Sequence, residues 1–131
     1  MNSPQTHSVK HYLENQINSI FNSLSSKFSN RYTVLRERPM KGASCKGMIA
    51  VYPENGRRAA EGDSQPAPVL RYAFYASTLD PSQLGSMAIY GDKATAEYLS
   101  IDSTKSFLGR KVRSVDLEFG RRPFVDVVFR A

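Results

Sequence analysis

The chain has 131 residues and a net charge of +6, with 18 Lys and Arg against 12 Asp and Glu. That length has room for one domain over 1–131 around one core, since two independent halves would each be marginal. A single cysteine, Cys45, excludes an internal disulfide; no run approaches the ~18 apolar residues of a membrane helix; and no basic-then-apolar start marks a secretory leader, so a reducing cytoplasm is the expected setting.

The first predicted element is a helix from about Pro4 or Ser8 to about Ser29. Val9, Leu13, Ile17, Ile20, Leu24 and Phe28 fall at spacings of three and four, which places them on one stripe. Asn30 suits the left-handed residue that stops a helix. The other face is rich in Asn and Ser, which are poor helix formers. Such a helix must gain its stability by laying the stripe on something apolar.

Strand patterns follow. Tyr32 to Arg38 alternates, and Met48 to Tyr52 is a short apolar run. Residues 53–68 carry Pro, Gly, Arg and acids without periodicity, and read as a long irregular loop. Val69 to Ala76 puts Leu70, Tyr72 and Phe74 on one face. Asp80-Pro81 and Gly85 are turn signals. Met87 to Tyr90 precedes Gly91-Asp92-Lys93, which reads as a hairpin turn, and Ala94 to Ile101 suits either a strand or a short helix. Val112 to Phe119 and Phe124 to Arg130 form the strongest hairpin pattern, around Gly120-Arg121-Arg122. For Val115, Leu117 and Phe119 to share a face with Val125, Val127 and Phe129, the loop must be odd in length. A three-residue loop then puts Asp116 directly across from Asp126.

These elements predict an α+β fold. One long N-terminal amphipathic helix packs on a curved antiparallel β-sheet of about five to seven strands, a two-layer arrangement. An exposed edge strand would leave a homodimer open.

The charges are uneven along the chain. Residues 31–72 hold eight of the 18 basic residues and 105–130 hold seven, while 73–104 hold Lys93 against Asp80, Asp92, Glu97 and Asp102. A basic side that attracts an anionic partner follows from this. Arg57, Arg58, Arg110, Lys111, Arg121 and Arg122 are the candidate phosphate or carboxylate contacts. Arginines beside aromatic strands suit single-stranded nucleic acid through stacking and phosphate forks.

Rival chemistry is thinner. Asp116, Glu118 and Asp126 on adjacent strands offer hard oxygen ligands for a divalent metal, the donor set of a metal-dependent nuclease. His7, His11 and Glu14 share a helix face and offer a partial zinc set. Cys45 lies between Lys41 and Lys46, cations that favour a thiolate, but it has no base nearby in sequence. The chain carries no Gly-rich phosphate loop, zinc ribbon, nucleophile elbow or helix-turn-helix, so no cofactor is expected. The expectation is a non-enzymatic interaction domain of inhibitor, adaptor or chaperone type. It would bind a protein or nucleoprotein partner, with direct nucleic-acid contact through its Arg and Lys surface and no membrane.

Overall fold

In the computed structural model the described residues are 3–39, 41–53, 67–76 and 83–130; for 3–12, 83, 84 and 130 only the backbone is described. Helix α1 (Ser3–Lys27) is followed by strands β1 (Tyr32–Glu37), β2 (Gly47–Pro53), β3 (Leu70–Tyr75) and β4 (Gln83–Tyr90). A second helix, α2 (Ala94–Thr104), leads into β5 (Ser106–Phe107), β6 (Arg110–Phe119) and β7 (Pro123–Arg130). The seven strands form one curled antiparallel sheet in the order β1-β2-β3-β4-β7-β6-β5.

Alternation along the strands explains which face is covered. Ile49, Val51, Leu70, Tyr72, Phe74, Met87, Ile89, Val125, Val127 and Phe129 are buried and, by their cross-strand registers, share one face. Leu13, Ile17, Ile20 and Leu24 of α1 join them in one cluster, as do Ala94 and Ile101 of α2. Both helices therefore lie on the same side of the sheet. Each fully buried aliphatic side chain contributes roughly 1.5–3 kcal/mol. The stripe of α1 thus outweighs the weak helix propensity of its Asn and Ser residues, which is below ~0.7 kcal/mol per residue. Lys27 at the end of α1 ties the helices together through Glu97 of α2, at 3.1 Å.

The C-terminal hairpin has the expected register. Phe119 faces Pro123 and Asp116 faces Asp126 across a three-residue turn. Two sequence readings are corrected. Gly91-Asp92-Lys93 does not turn a hairpin but opens α2, with the Ala94 N–H donating to the Gly91 carbonyl at 3.0 Å. Gly91 has φ +130, and a Cβ there would run into the Val69 carbonyl oxygen. Strand β4 also begins earlier than its apolar core suggests, and Gly85 marks a register irregularity between β4 and β7. Residues 54–66, most of the expected irregular loop, lie outside the described residues. No described helix is long and apolar enough to cross a membrane.

Candidate functional site

The face of the sheet away from the helices carries the site. Its side chains are set by register and form ladders across the strands. One runs Leu35, Ala50, Arg71, Tyr90, Phe124, Glu118 from β1 to β6. The next runs Glu37, Met48, Ala73, Ala88, Asp126, Asp116. Small alanines hold the middle of the face, where Ala50 is 0% and Ala73 is 3% exposed. Larger side chains stand around them and cover them, and beside them this face is hollowed.

The concavity is a cleft of about 660 Å³. Tyr52, Tyr75, Tyr90 and Phe124 supply its aromatic walls, Arg71 and Arg122 its cations, and Ala88 lies between. Ala67, Pro68, Gly91 and Pro123 shape its mouth at the end of the sheet nearest the β6–β7 turn. Tyr52, Tyr75, Tyr90 and Phe124 are half-buried on a sheet face that no described helix covers. Apolar walls with a few placed polar groups are the usual make-up of a binding cleft.

Glu37 organises one wall. The Tyr52 hydroxyl donates to its carboxylate at 2.5 Å, and the Arg71 Nε lies 3.6 Å from the other carboxylate oxygen. Burial and this hydrogen bond push the Tyr52 hydroxyl above its ordinary range, so it stays a donor at neutral pH. Burial works against the Arg71 charge, but Tyr52 and Glu37 outweigh it and raise its pKa. Its buried Nε has no hydrogen-bond partner among the described residues. Burial likewise raises the Tyr75 hydroxyl.

The structure separates the cations singled out in the sequence. Arg122 lines the cleft and Arg121 is exposed beside it on the β6–β7 turn. Neither has a hydrogen bond or ion pair among the described residues. Arg110 and Lys111 begin β6, at the far end of a ten-residue strand from that turn. At ~3.4 Å per residue this is about 30 Å. The Arg110 guanidinium donates to the Leu108 carbonyl, at 3.4 Å. Arg57 and Arg58 lie outside the described residues.

The acidic trio shares the open face with the cleft, on its β6 side. Burial, then the charges of Asp116 and Glu118, push the Asp126 carboxyl above its usual range. Among the described residues no group of three His, Cys, Asp or Glu is arranged to hold a metal ion. The side chains of His7 and His11 lie outside those described, and Glu14 is exposed. Cys45 is a half-buried free thiol just before β2.

Sequence reasoning missed most of the cleft. Arg71, Tyr75 and Phe124 fall at the outward parity of their strands once Leu70, Tyr72, Phe74 and Val125 are assigned inward. Parity was the available signal. Compared with known proteins, the chain matches no family model, no curated protein and no solved structure.

Proposed function

We propose that this chain is a non-enzymatic binding domain whose open sheet face takes single-stranded nucleic acid, free or as the accessible strand of a nucleoprotein complex. One observation carries the reading: Tyr52, Tyr75, Tyr90 and Phe124 converge on a concave surface edged by Arg71 and Arg122. Aromatic faces stack unpaired bases whatever their identity, and flanking arginines meet phosphates. A duplex keeps its bases paired and offers no ring face to this surface.

The charge geometry makes the binding stacking-led. Glu37 offsets Arg71, which leaves Arg122 and its neighbour Arg121 as the phosphate contacts. For single strands the logarithm of affinity falls with that of salt by about 0.7 per phosphate neutralised. Two contacts give a slope of about −1.4, whereas including Arg110 and Lys111 would double it.

The chain has seven tyrosines and no tryptophan, so tyrosine emission reports stacking directly. Titration with oligothymidylate should quench it, with the shallow salt slope above and much weaker quenching by duplex. Tyr90→Ala or Phe124→Ala should each cost about 1–3 kcal/mol of binding. Arg110→Ala with Lys111→Ala should leave affinity and slope unchanged. No binding at low salt, or binding indifferent to Tyr90 and Phe124, would refute the interface. Magnesium-dependent cleavage lost in Asp116→Asn would replace it with a nuclease.

A further inference from the structure

Resting on that reading, we infer that Arg71 reads the edge of one base in the cleft: its guanidinium fork selects a base with two adjacent hydrogen-bond acceptors, guanine or cytosine, over adenine and thymine.

The guanidinium is held by its neighbours. Its Nε lies 3.6 Å from the Glu37 carboxylate, and Tyr52, which donates to the same carboxylate, faces it as well. The ion pair offsets the charge of Arg71 and occupies the Nε side of the group. A cation offset in this way is a poor partner for a phosphate, whose attraction is mostly charge. It is still a planar fork that donates and never accepts. The side chain is 37% exposed and lines the cleft, so its two terminal nitrogens are the donors left for a ligand.

The register puts that fork beside the stacking surface. Arg71 stands directly across from Tyr90 on β4, and Tyr90 directly across from Phe124 on β7. Facing residues on one side of a sheet are about 4.5–5.5 Å apart at Cβ, so the fork and the two rings make one row. A base held against these rings has its edge within reach of Arg71. Ala88 beside them adds no competing polar side chain. Arg122 approaches from the β6–β7 turn. The two cations of the cleft thus divide the contacts, Arg122 to phosphate and Arg71 to base.

An unpaired base offers its Watson–Crick and Hoogsteen edges. A donor-only fork makes two bonds only where two acceptors adjoin. Guanine has O6 beside N7, and cytosine has N3 beside O2. Adenine sets each acceptor beside its amino group, and thymine separates its carbonyls by an N–H, so either base takes one bond from the fork.

The experiment is competition against labelled oligothymidylate, followed by fluorescence anisotropy. The competitors are oligothymidylates with one central thymine replaced by guanine, cytosine, adenine, hypoxanthine or 7-deazaguanine. Guanine, cytosine or both should compete at least about fivefold better than thymine, and adenine should stay close to thymine. A gain for guanine assigns its Hoogsteen edge to Arg71, and a gain for cytosine its Watson–Crick edge. Hypoxanthine keeps O6 and N7 and should match guanine, whereas 7-deazaguanine lacks N7 and should lose most of guanine's gain. Arg71→Lys keeps a cation beside Glu37 without the fork, and the affinity ratio between the preferred base and thymine should fall to about one. Arg122→Ala should weaken every competitor alike and keep that ratio. Equal affinity for all four bases, a preference that survives Arg71→Lys, or a guanine preference that hypoxanthine fails to reproduce would overturn the inference and leave the stacking interface standing. Failure of every probe to bind at low salt is a different result, and it removes the interface itself.

Discussion

Asp126 and Asp116 are like charges placed directly opposite each other on neighbouring strands, an arrangement that costs stability. Burial and the neighbouring acids raise the Asp126 carboxyl, so the folded chain holds that proton more tightly than the unfolded chain does. The stability gained by protonation is complete below the ordinary value of 3.8 and is lost as pH rises through the raised folded value. Asp126→Asn should accordingly be more stable than wild type at neutral pH by about 0.2–1 kcal/mol. In denaturant titrations repeated across pH, that advantage should disappear near pH ~3. Gly91 is a second residue-scale constraint, because its φ of +130 and the nearby Val69 carbonyl leave no room for a side chain. Gly91→Ala should cost about 1–3 kcal/mol in thermal or chemical denaturation, through displacement of the start of α2. The facing aspartates were legible in the sequence, since only an odd loop keeps Val115, Leu117, Val125 and Val127 on one side. The strained Gly91 was not: Gly-Asp-Lys after a strand looks the same whether a hairpin or a helix follows.

At the scale of elements, α1 was readable because its stripe is long and regular, and it is buried at Leu13, Ile17, Ile20 and Leu24. Its stability lies in that contact. Ile20→Ala, at a fully buried position, should cost about 2–5 kcal/mol in urea unfolding, and a synthetic peptide of α1 alone should be mostly non-helical by circular dichroism. Helical signal in the isolated peptide comparable to its share in the intact chain would place the stability in the segment itself. Helix α2 was ambiguous for a physical reason. Its buried set is Ala94, Glu97 and Ile101, and a carboxylate in the middle of it breaks the apolar period. Glu97 is tolerated there because Lys27 reaches it from α1, a partner 70 residues away that no local pattern announces. Leu99, meanwhile, is 62% exposed and adds a misleading apolar residue to the outer side. Strand β5, at two residues, is too short to carry any periodicity.

At the scale of the molecule, the basic surface expected from the sequence divides. The cations of the β6–β7 turn join an aromatic cleft, and those at the start of β6 stand about a strand length away. Charge counts along the chain cannot reveal this, since Arg71, Tyr90 and Phe124 become neighbours only through pairings of β3 with β4 and of β4 with β7. The latter pairing joins residues 34 to 47 positions apart, across an intervening helix and two strands. It also means that β7, the final strand in chain order, lies inside the sheet between β4 and β6 rather than at a margin. During synthesis, chain emerges from the N-terminal end first, so α1 and β1 to β4 exist before anything can cover the inner margin of β4. The cleft walls contributed by Phe124 and Arg122 arrive with that same late segment. Closure of the sheet and completion of the cleft wall therefore come together, and a nascent chain halted before residue 123 would have neither β7 between β4 and β6 nor Phe124 opposite Tyr90.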